Sequence, residues 1–207
     1  GIAINFINKE FRKKNIFKKT YFKMNNKDKK SCYKKLSKYG ITKNDWFVVI
    51  HIRENKSDLD RFRDSDPMTY LNAINFIISA GGKVVRVGNS SMTKLPKIKG
   101  LIDYPFTSIK NNSMDVFLAS ECKFCIGTAS GYYSLPVFFG KPVLMVNYLH
   151  TLEYFALREK DIFLPKKLFS QKNKRLIKLK DVFGLKVGNY VTSSVYKKNN
   201  ILIKDNT

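Results

Sequence analysis

Long hydrophobic runs are missing from this sequence. No stretch of the 207 residues approaches the roughly 18 consecutive apolar residues that a membrane-spanning helix needs. The N-terminus also lacks the compact apolar segment, ending in small residues, that is typical of a signal peptide. We therefore expect a soluble, unsecreted protein in the cytoplasm.

Cysteine and histidine are scarce as well. Cys32, Cys122 and Cys125 are an odd set, which argues against the disulfide framework of a small secreted domain and favours a reducing compartment. Cys122 and Cys125 form a single CxxC motif, and His51 and His150 lie far from it in the sequence. We expect buried thiols and no bound metal, because a zinc site requires further ligands at a suitable spacing.

Acidic residues are outnumbered by basic ones, 16 against 39, which gives a formal net charge of +23. Such a charge raises nucleic acid as a partner, but it is diffuse and accompanies neither an RNA-binding motif nor a helix-turn-helix pattern. The densest basic run extends from Lys9 to Lys38. It is typical of a solvated linker or helix face, or of a segment that contacts an anionic membrane, here the inner face of the cytoplasmic membrane.

Residues 1–45 differ from the rest of the chain. They are basic and carry a helical spacing of apolar residues between Cys32 and Tyr39, closed by Gly40 as a C-cap. We predict a lead-in or linker helix here, the remnant of a missing N-terminal domain. The chain begins with Gly1 instead of Met, so we expect a fragment.

From Trp46 onward, short apolar runs alternate with helical stretches in the order β, α, β, β, α, β, α, β. This order predicts an α/β domain over residues 46–166 with a Rossmann-like, doubly wound, mostly parallel sheet. Residues 167–207 are predicted to form a C-terminal extension that packs on this domain. The strands are predicted over residues 46–53, 83–88, 100–104, 123–126 and 142–147. The helices are predicted from Pro67 to Gly81, from Ser113 to Ala119 and from the residue after Gly131 to Gly140. Residues 161–166 are predicted as a loop.

Two polar residues stand at the carboxyl end of the first strand, where ligands of open parallel sheets bind. His51 and Arg53 are spaced by two, so both side chains point to the same side. The guanidinium of Arg53 suits a diphosphate, and His51 suits hydrogen bonding or acid–base chemistry near neutral pH. The alternative is an Arg53–Glu54 ion pair with a histidine satisfied at the rim of the sheet.

A glycine-rich turn follows the fourth strand. Free backbone amides and a helix N-terminus would make it an anion site. Thr128 and Ser130 add hydroxyl groups, and Gly127 and Gly131 allow close approach of a ligand. The turn is neither a Walker motif nor a GxGxxG fingerprint, so ordinary helix capping by Ser130 is equally compatible with it.

Several acidic residues allow other chemistry. Asp64 and Asp66 resemble a metal-binding DxD, but Asp66 directly precedes Pro67, which favours an N-cap. Asp103 and Asp115 are carboxylates that could hold a ribose or base, or cap a helix. The glycine-rich turn lacks the GxSxG pattern of a hydrolase nucleophile, which excludes that class.

Seven segments, in this order, resemble a family of bacterial surface-polysaccharide glycosyltransferases, with similarity to the donor domain of O-fucosyltransferase-like GT-B enzymes. The resemblance runs from about Trp46 to Lys166. The segments are His51-Ile52-Arg53-Glu54, Arg63-Asp64-Ser65-Asp66, Gly81-Gly82-Lys83-Val84-Val85-Arg86-Val87-Gly88, Asp103-Tyr104, Met114-Asp115-Val116-Phe117-Leu118, Ile126-Gly127-Thr128-Ala129-Ser130-Gly131 and Phe139-Gly140-Lys141-Pro142.

The resemblance implies the donor-binding, C-terminal half of a GT-B enzyme. Such an enzyme transfers a sugar from a nucleotide-sugar donor to a surface glycan or lipid-linked acceptor, without a metal or cofactor. His51 and Arg53 would contact the donor diphosphate, with Arg53 stabilising the leaving group, and Thr128 and Ser130 would help to hold the phosphates. The remaining predicted donor-binding residues are Gly127, Gly131, Arg86 and Asp115.

Two positions depart from the family pattern. Glu54 replaces a second arginine, which argues against GDP-fucose as the donor, and Asn89 replaces an aspartate after the second strand. Residues 1–45 are too few to build an acceptor domain, so the catalytic base is expected elsewhere. The alternatives are a basic nucleic-acid-binding module and an inactive fragment that serves as an interaction surface.

Overall fold

The structure, a computed structural model, describes residues 20–55, 58–149, 158–184 and 192–206. His150 and the start of the basic run at Lys9 lie outside these ranges. The helices are α1 Asn26–Leu36, α2 Leu71–Ser79, α3 Asn112–Glu121, α4 Ser134–Phe138, α5 Leu179–Gly184 and α6 Ser193–Lys198. The strands are β1 Phe47–His51, β2 Lys83–Val87, β3 Leu101–Asp103, β4 Cys125–Gly127, β5 Val143–Tyr148, β6 Ile162–Pro165, β7 Lys167–Ser170, β8 Arg175–Leu176 and β9 Ile201–Lys204.

The main sheet has six strands in the order β3-β2-β1-β4-β5-β6, and every neighbouring pair is parallel. All five residues of β1 are buried, as expected for a central strand covered on both faces. Phe47 and Val49 pack into one core cluster, whereas Val48 and Ile50 pack into another. This alternation confirms the predicted Rossmann-like, doubly wound fold, because each face of the sheet has its own layer of helices.

The predicted order of elements from β1 to β5 is confirmed, with local differences at the helix ends. A 3-10 turn, Pro67–Tyr70, precedes α2, and Gly81 ends this helix at φ 83°. The predicted cap at Ser113 is wrong, since the side chain of Asn111 accepts the capping bond from the Met114 amide at 3.0 Å. Asn111 is the N-cap because it is the residue directly before the helix and has an extended backbone conformation.

The lead-in helix packs into the main core. Leu36 is fully buried and Cys32 nearly so, and both belong to the cluster that contains Phe47 and Val49. A 3-10 turn continues the helix to Tyr39, and Gly40 follows in the left-handed conformation at φ 82°. The predicted helical spacing and C-cap are therefore confirmed, and the helix covers one face of the sheet.

The C-terminal part contains more regular structure than the sequence indicates. The segment predicted as a loop at residues 161–166 contains β6, which pairs in parallel with β5, so that prediction is wrong. Beyond it, β7, β8 and β9 form a three-stranded antiparallel sheet. Its residues Leu168 and Ile201 pack against Phe62 and Leu149, which joins it to the loop after β1. Within the described ranges, no helix is long and apolar enough to cross a membrane.

Candidate phosphate site at the sheet switch point

The strand order reverses direction between β1 and β4, which lie side by side at the centre of the sheet. His51, the last residue of β1, is in register with Gly127, the last residue of β4. Ligands of doubly wound folds bind in the crevice beyond the carboxyl ends of such a pair, because the following chain segments diverge there. The predicted residues His51 and Gly127 therefore lie at the switch point.

Arg53 and Thr128 are joined directly by a hydrogen bond. The Arg53 amide donates to the Thr128 hydroxyl oxygen at 2.8 Å, and the Thr128 amide donates to the His51 carbonyl at 3.1 Å. The structure thus brings three predicted site residues together. Thr128 is fully buried, so its hydroxyl fixes the two strand ends to each other and is not open to a ligand.

The guanidinium of Arg53 is held by two carboxylates from the loop after β1. Its Nη2 pairs with Asp60, and its Nε lies 3.2 Å from an oxygen of Asp64. The alternative in which Arg53 pairs with Glu54 is wrong, because Glu54 reaches Arg86 instead. The Arg53 side chain remains 16% exposed.

Arg63 is a site residue that the sequence reasoning did not single out. Its Nε and Nη2 donate to the Ala129 carbonyl at 3.2 and 2.9 Å, and its Nη1 lies 3.5 Å from Asp60. Arg63 therefore ties the loop after β1 to the glycine-rich turn. The only signal for it in the sequence was its place in the second of the seven family-like segments.

The glycine-rich turn keeps part of its predicted anion-binding capacity. Among the described residues, the amides of Ala129 and Gly131 make no hydrogen bond, whereas the Ser130 amide donates to the Thr128 carbonyl at 2.6 Å. Ser130 precedes a 3-10 turn but makes no side-chain capping bond, so the alternative role as an ordinary cap does not apply. A side chain added at Gly131 would meet nothing within 4 Å, so the space beside the Gly131 Cα is open.

The helix after the turn is shorter than predicted. A 3-10 turn, Gly131–Tyr133, leads into the five-residue α4, which ends at Phe138 before Gly140. Pro136 lies inside it and cannot donate a helical hydrogen bond. A helix this short supplies little dipole, so the anion capacity of the turn depends on individual amides.

His51 is buried and electrically neutral at physiological pH. Burial, followed by the positive charges of Arg86 and Arg53, lowers its pKa to about 4. Its ring stacks on Tyr132, with centroids 5.5 Å apart and an angle of 11° between the planes. Its Nδ1 is buried without a hydrogen-bond partner among the described residues. The predicted acid–base role near neutral pH conflicts with this pKa, but a neutral imidazole can still exchange hydrogen bonds with a ligand.

Arg86 lies inside the protein between two carboxylates. Its Nη2 is 2.7 Å from Glu54 and its Nη1 is 2.9 Å from Asp103, and its side chain is fully buried. The far oxygens of these carboxylates accept the Thr93 and Leu95 amides. Arg86 was predicted to bind substrate, but in this structure it presents no surface to a ligand. Instead it fixes the ends of β1, β2 and β3.

The acidic candidates have local partners. The side chain of Asp66 accepts the Met68 amide at 2.9 Å, which confirms the predicted N-cap. Asp115 pairs with Lys110 at 2.7 Å, and its carbonyl accepts a bond from Tyr132 at 3.3 Å, so it supports the ring that stacks on His51. In the described part of the chain, no group of three or more His, Cys, Asp or Glu side chains is placed to hold a metal ion.

The three cysteines are free and buried, as predicted. Burial raises the pKa of Cys122 to about 12 and raises that of Cys125 well above its ordinary value. Both therefore stay protonated at neutral pH, which removes the thiolate that redox chemistry requires.

Known proteins resemble this chain in structure only. No family model matches the sequence, and no curated protein matches it. The ADP-heptose LPS heptosyltransferase II of E. coli shares the fold with a TM-score of 0.53 at 11% identity, over 69% of this chain and 44% of that one. A glycosyl transferase family 9 structure from Veillonella parvula gives 0.52 at 12% identity, over 70% and 42%.

These likenesses concern the fold. The present chain spans less than half the length of either neighbour. Both neighbours are glycosyltransferases by name, and the likeness covers about 70% of this chain. The described domain therefore has a fold that glycosyltransferase structures also contain.

Proposed function

We propose that this chain is the donor-binding part of a metal-independent GT-B glycosyltransferase that transfers a sugar from a nucleotide-sugar donor to a surface glycan or lipid-linked acceptor. The observation that carries the proposal is the meeting of Arg53 with the Thr128–Gly131 turn at the switch point. The shared fold with glycosyltransferase structures supports it. In this proposal residues 46–166 bind the donor, 1–45 lead into that domain and 167–207 extend it.

The diphosphate of the donor would lie between Arg53 and the glycine-rich turn. The amides of Ala129 and Gly131 and the hydroxyl of Ser130 would bind one phosphate group, because no other described group occupies these donors. Arg53, whose side chain is 16% exposed, would bind the other phosphate in competition with Asp60. Charge that develops on the diphosphate as the glycosidic bond breaks would be stabilised by these fixed donors.

His51 would act as a hydrogen-bonding group in this site. Its low pKa keeps the imidazole neutral, so it would not add a positive charge to the diphosphate or remove a proton efficiently at pH 7. In our proposal the catalytic base belongs to another part of the enzyme. The dense basic run from Lys9 to Lys38 supports a location at the inner, anionic face of the cytoplasmic membrane.

Arg53→Ala tests the phosphate site. We expect binding of the preferred nucleoside diphosphate, chosen from ADP, GDP and UDP by thermal shift, to weaken about 30-fold or more, since a partly buried charged contact is lost. The backbone bond from residue 53 to Thr128 survives this change, so the strand end should stay in place. Isothermal titration calorimetry measures the affinity.

Two companion variants sharpen this test. Arg61→Ala removes a cation from the same loop whose side chain is 64% exposed, and it should leave affinity unchanged. Asp60→Asn removes the competing carboxylate and should strengthen binding. Equal affinity of Arg53→Ala and the parent protein would contradict the site, and steeply salt-dependent nucleic-acid binding that survives this variant would favour the nucleic-acid alternative.

A further inference from the structure

A cavity lies beside the candidate phosphate site. It has a volume of about 820 Å³ and separates the loop after β1 from the unit formed by α6 and β9, and we call it the side cavity. This volume falls in the range of about 300–1,000 Å³ that is typical of small-molecule sites. Asp64 lines the side cavity and also pairs with Arg53 at 3.2 Å. The side cavity therefore begins one side chain away from the proposed diphosphate position.

The walls of the side cavity are held together by contacts between distant parts of the chain. The Ser193 amide donates to the Leu59 carbonyl at 2.8 Å, and the Ser193 hydroxyl accepts the Phe62 amide at 3.2 Å. On another wall, Lys166 pairs with Asp205 at 2.8 Å, with the lysine side chain only 4% exposed. These bonds connect both sides before any ligand binds, so the cavity is preformed.

The charges that line the side cavity cancel. The described lining includes three basic and three acidic side chains, namely Arg61, Lys166, Lys197, Asp58, Asp64 and Asp205. Two pairs among them are already formed, Arg61 with Asp58 at 3.3 Å and Lys166 with Asp205. This lining gives an anion no net attraction, and a wholly apolar ligand would remove the charged side chains of the lining from water.

The rest of the lining combines apolar surface with hydroxyl groups. Phe62, Tyr196 and Ile201 belong to one buried cluster, and Ser193 and Ser194 stand at the start of α6 on the same cavity. A sugar ring matches this lining, because its C–H faces can pack on apolar side chains. Its hydroxyls can also donate to carboxylates and serine oxygens.

We propose that the side cavity binds a neutral saccharide. The inference rests on the proposed function, since it places a sugar directly beside the diphosphate. Two sources fit this chemistry, the sugar of the nucleotide donor and the end of the acceptor glycan. The chemistry they would share is that of an uncharged polyol, and a binding experiment separates the two sources.

Ser194→Trp is the blocking variant. Ser194 is exposed at the start of α6 and lines the side cavity. Its hydroxyl hydrogen-bonds with the Thr192 hydroxyl at 3.0 Å. An indole there fills the entrance with little loss of packing. Lys198→Trp is the matched control, because it adds the same ring to an exposed position of the same helix outside the lining.

Calorimetry on the full chain would use ADP, GDP and UDP, the hexose conjugates of each, and a panel of neutral oligosaccharides. We expect the conjugate of the preferred nucleotide to bind about tenfold more tightly than the nucleotide alone, or a neutral oligosaccharide to bind by itself. Ser194→Trp should abolish the higher affinity of the conjugate, or the binding of the oligosaccharide, while the affinity for the nucleotide alone stays within about twofold. Lys198→Trp should change none of these affinities.

The pattern of loss identifies the source of the sugar. Loss of the conjugate's advantage assigns the side cavity to the donor sugar, and loss of oligosaccharide binding assigns it to the acceptor. The proposal is overturned if both signals survive Ser194→Trp or if no saccharide of either kind binds. Oligosaccharide binding without any nucleotide binding would reject the proposed function and still support a saccharide cavity.

Discussion

Arg86→Met is expected to lower the free energy of unfolding by about 3–5 kcal/mol, because it leaves two buried carboxylates without their cation. Glu54 and Asp103 are 7% and 18% exposed at their side chains, and Arg86 is fully buried between them. Methionine fills much of the volume but supplies no charge. Chemical denaturation followed by circular dichroism measures the loss.

Two further variants separate lost charge from lost packing. Arg175→Met, at an exposed position of β8, should change stability by less than about 0.5 kcal/mol. The triple variant with Glu54→Gln and Asp103→Asn should recover part of the loss, since no buried charge then remains unpaired. A loss below about 1 kcal/mol for Arg86→Met would contradict the view that this network fixes the strand ends.

Stability should fall as the pH drops from about 6.5 toward 4, with His51 contributing up to about 3 kcal/mol of the change. Its pKa is lowered from 6.5 to about 4 in the folded protein. Between these values the unfolded chain binds a proton that the folded chain excludes. The contribution is therefore complete above pH 6.5 and is lost as the pH falls through the folded pKa.

His51→Gln isolates this effect from the titration of carboxylates. The difference in unfolding free energy between the parent protein and the variant, measured at several pH values from 7.5 to about 4, should shrink toward acid. A difference that stays constant over this window would mean that His51 titrates normally. In that case its predicted role as an acid or base near neutral pH would return.

The order of elements could be read from the sequence because the central strands carry strong local signals. Val48, Val49 and Ile50 form a β-branched run, and such a run favours a strand buried on both faces. Glycines such as Gly40 and Gly81 end their helices in the left-handed conformation, which other residues rarely adopt. These features act locally, so neighbouring residues are enough to predict them.

The edge strand β6 was missed for a physical reason. Its residues alternate between exposed and half-buried positions, with Ile162 63% and Leu164 44% exposed, and Pro165 ends it. An edge strand needs to bury only one side, so its apolar signal is weak. Its existence depends on pairing with β5, which the local sequence does not reveal.

The partners of the site arginines depend on tertiary structure in the same way. Sequence reasoning left an Arg53–Glu54 ion pair open as an alternative and assigned Arg86 to substrate binding. In the structure Glu54 pairs with Arg86, which lies 32 positions away in the sequence. The loop after β1 places Asp60 against Arg53. Positions at strand ends were therefore predictable, whereas the ion pairs that decide which cation faces a ligand were not.

The most direct test of the phosphate site is a nuclear magnetic resonance titration of the ¹⁵N-labelled chain with the preferred nucleoside diphosphate. Our account predicts that the largest amide shifts occur at Ala129 and Gly131, together with a shift of the Arg53 side-chain Nε–H. The antiparallel sheet at β7, remote in sequence from this turn, should show small shifts. Saturable binding that shifts β7 and leaves Ala129, Gly131 and Arg53 unmoved would contradict the account.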